Sequence, residues 1–545
     1  MTIIGARRWW ALVAITLAVL AVGMDVTVLS IALPTLAGAL KASESDLQWF
    51  SSGYALVLAA AMLPAGLLGD RYGRKKVLLG SLALFAVGSL ACALSRSPDE
   101  FLASRVVLGL AGAGIIVMAI SALTVMFSEA ERPRAVGIWA TANFLAFPIG
   151  PILGGWLLTH YWWGWVFLLN VPVAAIGFAA VTALVPESCA PVRPGIDWLG
   201  ACASSAGLAV VTYGFIEAGQ HGWSSPGALV AIACGVALLV AFFAWERRLT
   251  RQPTGQPLVD LGLFASASFT WGVLLMTIMT LAMIGIMFTM PQYFQAVLGT
   301  SAQGSGLRLL TLVGGLLIGA LPADRLARRL GAKITVVIGF LVLAAGLGLG
   351  AQTSLASHST FVAAWMALAG VGVGITMATT ASAALSELSA DKAGVGSGVL
   401  QTLKNVGAPF GAAVLGSVLA SSYRSHLALP GLPGPAVSAV RGSVFAGLAV
   451  AAKLGSPALV VSVRGAFVKG MDAALLVSVG FALAGSVLAL AFLPARRNVH
   501  EVAVSEGERE EHELIAARQS DSPQPARAQE AQDPSRHPAP GASSL

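Results

Sequence analysis

Long apolar runs recur along the whole chain, and they limit what it can fold into more than any other feature. Each run is about 18 to 25 residues long, enough to cross a hydrocarbon core about 30 Å thick. Of the 545 residues, 56% are hydrophobic and only 11% are charged, against roughly 25% charged in a soluble domain. Because lipid offers backbone amides no partner, the runs must be helices. The sequence therefore predicts an all-α polytopic membrane protein.

The apolar runs predict fourteen transmembrane helices. They cover residues 11–33, 49–69, 77–95, 101–124, 135–158, 165–185, 198–218, 226–246, 268–291, 304–322, 334–353, 360–385, 401–420 and 471–493. Arg7 and Arg8 precede the first run, as in a signal peptide, but no small-residue cleavage site follows, so we predict a retained span. Residues 494–545 are rich in Pro, Ser, Gln and charge, which predicts a disordered cytoplasmic tail.

Basic residues mark alternate short loops, and such residues are retained on the cytoplasmic side. The marked loops carry Arg7 and Arg8, Arg71 to Lys76, Arg132 and Arg134, Arg247 to Arg251, and Arg325 to Lys333. This pattern predicts a multi-pass protein of the cytoplasmic (inner) membrane with both termini in the cytoplasm. It also accounts for the formal net charge of +7, so no nucleic-acid partner is indicated.

One segment departs from this rule. Residues 421–470 form a long external loop on a fourteen-span count, yet they contain Arg424, Arg441, Lys453, Arg464 and Lys469. The apolar runs 444–452 and 457–463 are too short to span, and we expect them to lie along the membrane surface or pack on the mouth of the bundle. A fifteenth span here is the alternative that stays open.

Two basic loops resemble each other and suggest a repeat. The stretch Gly66 to Lys75 follows span 2, and Asp324 to Arg329 follows span 10, with Ala327 where the first copy has Gly73. They occupy equivalent places if spans 7 and 8 are an inserted pair. We therefore predict an N-terminal six-helix half (1–190), an inserted helix pair (191–255) and a C-terminal six-helix half (256–493). Repeated halves are typical of secondary transporters, whose substrate site lies between them.

The first of these loops carries a family resemblance. It reads Gly66-Leu-Leu-Gly-Asp70-Arg71-Tyr-Gly73-Arg74-Lys75 and is similar to the major facilitator signature G-x-L-[AG]-D-R-x-G-R-K. The resemblance implies a cytoplasmic gating motif, in which Asp70 and the cluster of Arg71, Arg74 and Lys75 latch the two halves. Gly66 and Gly73 would allow close helix approach. A plain basic anchor is the alternative, although it requires neither the acid nor the glycines.

Span 5 contains a second motif. Its Ala146-Phe-Pro-Ile-Gly150-Pro151-Ile-Leu-Gly154-Gly155 resembles the antiporter signature G-x-x-x-G-P-x-x-G-G, with Ala146 in place of the first glycine. Glycine and proline make a flat, kinked face that can pack tightly against a neighbouring helix. In the family this face is associated with export, and a generic kinked helix is the alternative.

An acid lies near the middle of span 1. The stretch from Met24 to Pro34 resembles the L-D-x-T-V-V-N-V-A-L-P pattern of the fourteen-helix branch, with Ser30 in place of Asn. An ionised carboxylate is costly at this depth, so Asp25 must be protonated, solvated by a cavity, or paired. The hydroxyls of Thr27 and Ser30 could hydrogen-bond it. Asp25 is the candidate for proton coupling and substrate binding, and a buried structural acid is the alternative.

Span 4 contributes an intramembrane arginine. Arg105 begins a stretch similar to the R-x-x-Q-G motif of the family, with Leu108 in place of Gln. A carboxylate such as Asp25, or a backbone carbonyl, would be its partner. Because a guanidinium does not deprotonate, it would influence proton release through its field. Snorkelling from the span end is the alternative.

Taken together, the motifs resemble those of the fourteen-helix drug:proton antiporters of the major facilitator superfamily. The resemblance implies a major facilitator fold and proton-coupled export of lipophilic compounds, cationic ones included. The expected partners are a small lipophilic substrate, protons and the bilayer, with a monomer as the functional unit. We expect a secondary transporter and no enzyme, with no metal site and no cofactor beyond the proton motive force. A dedicated exporter of one metabolite, such as a self-made antibiotic, and a non-transporting membrane sensor are the alternatives.

Overall fold

The computed structural model describes residues 5–127, 131–189, 197–252, 261–385, 390–429 and 432–494. These residues form α-helices joined by short connections. The helices are α1 (Gly5–Ala39), α2 (Glu44–Tyr72), α3 (Arg74–Leu94), α4 (Pro98–Met126), α5 (Arg132–His160), α6 (Trp165–Leu168), α7 (Asn170–Leu184), α8 (Trp198–His221), α9 (Pro226–Thr250), α10 (Ala267–Gln292), α11 (Ala302–Leu330), α12 (Ala332–Gly350), α13 (Ser359–Leu385), α14 (Ala390–His426), α15 (Gly434–Gly442), α16 (Val444–Lys453) and α17 (Pro457–Phe492). The predicted tail 494–545 lies outside the described residues except for Pro494.

The multi-pass helical fold is confirmed. In the described part of the chain, twelve helices are long and apolar enough to cross a membrane, or thirteen if the bent α2 is one span. The bend of 44° separates Glu44–Met62 from Pro64–Tyr72, at a proline that cannot donate a helical hydrogen bond. Helix α5 covers the fifth predicted span but is not among the twelve. The count of fourteen stays a prediction.

The segment predicted as a long loop over residues 421–470 is largely helical. Helix α14 continues to His426, α15 and α16 follow, and α17 begins at Pro457, fourteen residues before the predicted start of the last span. Ser456 starts α17 by accepting a hydrogen bond from the Leu459 amide, with Pro457 in the first turn. A hydropathy reading misses these turns because Arg464 and Lys469 lie in them. Of the described residues here, only Val444–Lys453 forms a separate short apolar helix.

Two buried hydrophobic clusters divide the membrane part. One is built from α1 to α7, with Phe288 from α10 as an addition. The other is built mainly from α10 to α17, with Ile31 from α1. Each half therefore has its own packed interior, and the inserted pair α8–α9 packs against α2 of the first half and α14 of the second.

The antiparallel helices define two ends of the bundle. We call the end with the turns after α2 and α11 the basic end, because Arg71 to Lys76 and Arg325 to Lys333 lie there. The opposite end, with the connections 40–43, 161–164 and 299–301, is called the distal end. The predicted repeat of basic turns is shifted in the structure. Gly73 forms the turn between α2 and α3, and its counterpart between α11 and α12 is Gly331, four residues beyond Ala327, because α11 continues to Leu330.

Candidate proton-coupling and gating site

An ion pair inside the first half joins the two charged residues predicted at membrane depth. The Arg105 Nη1 atom on α4 lies 2.5 Å from the Asp25 Oδ2 atom on α1. Both side chains are buried, with 1% and 2% of their surface exposed. Of the three states considered for Asp25, the structure has the paired one. Arg105 does not snorkel, because its guanidinium is directed into the bundle.

Three further groups complete this pair. The Arg105 guanidinium carbon lies 4.1 Å from the centre of the Tyr54 ring, a cation–π contact. Its Nε atom donates to the Phe50 carbonyl at 3.4 Å. The Asn170 amide donates to the other Asp25 oxygen at 3.4 Å. The pair is thus held by α1, α2, α4 and α7, so a change in its protonation would be felt by four helices.

A small cavity reaches Asp25. It measures about 10 Å³ and is lined by Asp25 and Asn170 together with apolar residues of α1, α5 and α6 and with Leu169, which joins α6 to α7. This is space for about one water molecule, with two polar side chains to hold it. A proton could therefore reach Asp25 without passing through the ion pair itself.

The expected hydrogen bonds from Thr27 and Ser30 to Asp25 are not formed. The Thr27 hydroxyl lies 3.1 Å from the Met24 carbonyl and 3.2 Å from the Ala146 carbonyl on α5. The Ser30 hydroxyl donates to the Thr27 carbonyl at 2.7 Å. Both hydroxyls are directed to backbone oxygens, as is common for Ser and Thr inside helices. Thr27 consequently links α1 to α5 and does not hydrogen-bond the Asp25 carboxylate.

The antiporter motif on α5 faces two helices. A Cβ atom at Gly150 would lie 3.0 Å from the Thr27 Cβ atom, and one at Gly154 would lie 2.6 Å from a Val28 methyl group. These two glycines allow α1 to pack closely against α5. Gly155 and Pro151 face α11 of the second half instead. A Cβ atom at Gly155 would lie 2.8 Å from the Ala302 carbonyl. The motif is therefore placed between the acid-bearing helix and the other half.

The first basic turn is docked within its own half. Asp70 accepts hydrogen bonds from the Arg74 Nε and Nη2 atoms at 3.0 and 2.9 Å. The Lys75 ammonium donates to the Thr182 carbonyl at 2.7 Å. The guanidinium carbon of Arg71 lies 5.6 Å from the Tyr72 ring centre. Gly66 lies near α4, where a Cβ atom would be 3.5 Å from Val117.

Glu187, which follows α7, holds this turn and was not identified from the sequence. Its Oε1 atom accepts from the Lys75 amide at 3.1 Å. A Cβ atom at Gly73, whose φ is 114°, would lie 2.6 Å from the same oxygen. The Arg74 amide donates to the neighbouring Ser188 carbonyl at 2.8 Å. No motif includes Glu187, because it stands at a loop position where an acid is unremarkable in sequence.

Hydrogen bonds between the halves extend from the middle of the helices to the distal end. On α2, Glu44, Gln48 and Ser52 recur at helical spacing and are buried; we call them the α2 polar stripe. Glu44 accepts a hydrogen bond from the Gln292 amide on α10 at 3.4 Å. On α14, the Ser417 hydroxyl donates to Gln48 at 3.5 Å, and the Pro409 carbonyl accepts from the Ser52 hydroxyl at 3.4 Å. Gln295 donates to the Ile31 carbonyl at 3.1 Å. The two halves are thus held together at the distal end.

This architecture defines a membrane transporter of two helical halves, with a buried ion pair in one half and a bonded interface at one end. The chain belongs to the Major Facilitator Superfamily, whose family model matches residues 15–197 and 198–412. The predicted membership is confirmed, and the chain is a multi-pass membrane transporter of small molecules.

The relatives include resistance and efflux proteins. The chain is 34% identical over 416 residues to the tetracenomycin C resistance and export protein of Streptomyces glaucescens, covering 76% of each chain. It is 32% identical over 497 residues to the multidrug efflux pump LfrA of Mycolicibacterium smegmatis, covering 89% of this chain and 96% of the relative.

A solved structure shares the fold. It is the inward-facing, unoccupied form of a bacterial homolog of the human lysosomal transporter Spinster, with a TM-score of 0.64 and 16% identity. The match covers 91% of this chain and 99% of that chain.

Proposed function

We propose that this protein exports lipophilic drugs or antibiotics, cationic ones included, across the cytoplasmic membrane in exchange for protons, with its basic end in the cytoplasm. The observation that carries the proposal is the buried Asp25–Arg105 pair, because it places a titratable acid inside a half that also carries the antiporter motif. The efflux and export activities of the relatives support a drug or antibiotic as the substrate. The proton gradient is the energy source, with no further cofactor.

The ion pair can couple a proton to a conformational change. A proton on Asp25 would leave the Arg105 guanidinium buried without a counter-charge, which is costly in a low-dielectric interior. The Tyr54 ring offsets only part of this cost. Proton uptake therefore favours a rearrangement of α1 and α4, and the two states of the transporter bind the proton with different affinity, as coupling requires.

The paired state also limits what Asp25 can do to a drug. Its carboxylate oxygens are directed to Arg105 and Asn170 and are 98% shielded from the surface in this state. A cationic substrate would have to displace the guanidinium to reach the acid. We therefore assign proton binding to Asp25 first, and charge recognition of the substrate only in a state in which the pair is open.

The test is pH-gradient-driven efflux in everted membrane vesicles with one cationic and one neutral substrate. Asp25→Asn cannot titrate, so proton-driven export of both substrates should fall to background. Asp25→Glu keeps a titrating group with altered reach and should retain partial activity. Asp99→Asn removes an exposed acid at the start of α4 and is the matched control, expected to behave as the wild type. Unimpaired coupling for both substrates in Asp25→Asn would contradict the proposal.

Export of a single metabolite is the second candidate, and the tetracenomycin C export protein among the relatives favours it. The same vesicles separate the two readings. Efflux of several unrelated lipophilic compounds supports a multidrug transporter, whereas transport restricted to one compound class supports a dedicated exporter. Vesicles that move none of a broad panel would point to a sensor.

A further inference from the structure

A second buried acid lies between the halves, nearer the distal end of α2 than Phe50 and Tyr54, which contact Arg105. Glu44 is the first residue of α2 at the distal end and is 3% exposed. Its Oε1 atom accepts a hydrogen bond of 3.4 Å from the Gln292 amide of α10. Because α2 belongs to the first half and α10 to the second, this contact breaks whenever the distal end opens.

The hydrogen-bonding groups of Gln292 indicate which protonation state of the Glu44 carboxyl group fits this site. Gln292 is fully buried, and its Oε1 atom has no hydrogen-bond donor among the described residues. A carboxylate can only accept hydrogen bonds, whereas a carboxylic acid also donates one. A protonated Glu44 can therefore satisfy the same amide on both of its polar atoms, and an ionised Glu44 leaves a buried acceptor unpaired.

Among the described residues, no charged neighbour forms an ion pair with Glu44. Arg424 on α14 faces this region, but its Nη1 atom donates to the Gly219 and Gln220 carbonyls of α8 at 2.8 Å each. Tyr423 stands next to Arg424 on α14, and its hydroxyl donates to the Val440 carbonyl. On α2 itself, Asp46 accepts from the Ser43 amide and hydroxyl at the helix start.

We propose that Glu44 is a second proton-binding site, and that its proton closes the distal end of the transporter. In the closed state the proton lies between Glu44 and Gln292. When the halves separate, water reaches the carboxyl group, which then releases its proton. This inference deepens the export cycle proposed above, since a proton arriving from the distal side would promote closure and so drive the return to the state described here.

The sign of the pH effect follows from this assignment. Closure takes up one proton at Glu44, so acid conditions favour the closed distal end and alkaline conditions favour the open one. The remainder of the α2 polar stripe, Gln48 and Ser52, does not titrate. Its long hydrogen bonds of 3.4 to 3.5 Å to α14 can be exchanged for water in either protonation state.

The experiment measures the distal opening directly, without transport. Spin labels are placed at Arg96→Cys, between α3 and α4, and at Ala356→Cys, between α12 and α13, which are both exposed distal sites. The exposed cysteines are replaced by serine, at positions Cys189, Cys202 and Cys234. Distances between the labels are recorded by pulsed electron–electron double resonance in lipid nanodiscs across a pH series.

For otherwise unaltered protein, we expect the long-distance population to grow as the pH rises. Glu44→Gln keeps the neutral, donating form and should hold the short distance at every pH. Glu44→Asp keeps titration and should retain a pH response, and Asp99→Asn should respond as the parent does. A parent distance that does not depend on pH, or a Glu44→Gln protein that opens like the parent, would overturn the proposal.

The two proposals can fail separately. A pH response that depends on Glu44, in a protein that exports no compound, would leave the distal proton site standing and remove the export function. Proton-driven export with a pH-independent distal end would do the reverse. If Glu44→Gln does not fold, Gln292→Leu removes the same amide from the other half, and we expect it to weaken the pH response.

Discussion

At the scale of single residues, Asp25 and Arg105 make each other tolerable inside the bilayer. Either charge alone would be expensive at this depth, and together they form a neutral unit with 2.5 Å between nitrogen and oxygen. Replacing one partner of a buried pair leaves the other uncompensated, which typically costs about 3–5 kcal/mol. Replacing both with neutral groups costs much less.

This asymmetry gives a stability prediction. Asp25→Asn and Arg105→Gln should each lower the thermal unfolding temperature of the purified protein, and the double variant should lie closer to the wild type than either single variant. The measurement is thermal unfolding in detergent, followed by thiol-reactive dye or by loss of the monodisperse peak. Additive losses in the double variant would show that the two side chains do not act as a pair.

The sequence identifies these two residues because charge is rare within apolar runs. Their pairing was one of the alternatives it allowed, and the structure selects it. Glu44 could not be found in this way. It stands beside Ser43 and Asp46, which form a capping box at the start of α2, so an acid there is expected for local reasons. Only the approach of α10 shows that Glu44 is buried between halves.

At the scale of helices and turns, two of the five basic residues of 421–470 have a structural explanation. Arg424 donates to the Gly219 and Gln220 carbonyls at the C-terminus of α8, at 2.8 Å each. Arg464 donates to the Ala296 carbonyl in the π-helical turn after α10 at 3.1 Å. Carbonyls at helix ends lack intrahelical donors. Arg424 and Arg464 satisfy such carbonyls, which accounts for two of the basic residues that depart from the charge rule for loops.

The turn glycines give a prediction at this scale. Gly73→Ala and Gly331→Ala both force a side chain into a positive-φ conformation, which costs about 1–3 kcal/mol. Gly331 has open space around it, whereas a Cβ atom at Gly73 meets Glu187. Gly73→Ala should therefore lower the unfolding temperature more than Gly331→Ala does.

The additional fall in unfolding temperature of Gly73→Ala should come from the contact of the new side chain with Glu187. Combining Gly73→Ala with Glu187→Ala should remove most of the difference between the two glycine variants, measured against Glu187→Ala alone. Equal losses for Gly73→Ala and Gly331→Ala would show that docking against Glu187 contributes nothing to the turn.

Helix existence was predictable here, and helix ends were not. Apolar length alone located the long helices, since lipid leaves a spanning backbone no alternative to intrahelical bonds. The early start of α17 was not predicted because its first turns contain charged residues. One of them, Arg464, donates a hydrogen bond to the Ala296 carbonyl. The repeat was recognised from its acid and basic residues, but the turn glycine lies three residues after Asp70 and seven after Asp324. The charge pattern repeats, whereas the turn position does not.

At the scale of the whole molecule, the alternation of basic loops predicts orientation. Reporters of cytoplasmic or external location, fused after Lys76 and after Arg329, should read cytoplasmic. A reporter inserted after Ala428, between α14 and α15, should read external. A cytoplasmic result at the last site would reverse the assignment of the distal end and the direction of the proposed proton movement.

The two halves can be compared as bodies that separate at one end. Their separate hydrophobic clusters allow each to move without unpacking its interior. The hydrogen bonds of the α2 polar stripe to the second half are long, at 3.4 to 3.5 Å, and those from Gln295 to Ile31 and from Gln303 to Thr159 measure 3.1 Å. So small a set of bonds suits a contact that is made and broken in every cycle.

The inserted pair must follow one of these bodies when they part. Helix α8 is attached to α14 through the Ser417 hydroxyl, which donates to the Phe215 carbonyl at 2.6 Å, and through Arg424. Helix α8 also packs against α2, and there the Gln220 side chain donates a hydrogen bond to the Ser45 hydroxyl at an exposed site. Because its bonds to α14 are the more numerous, we expect α8, with α9 packed against it, to move together with the second half. Opening of the distal end would then separate α8 from α2. Lipid would have to fill the resulting cleft, which lies on that side of the protein alone.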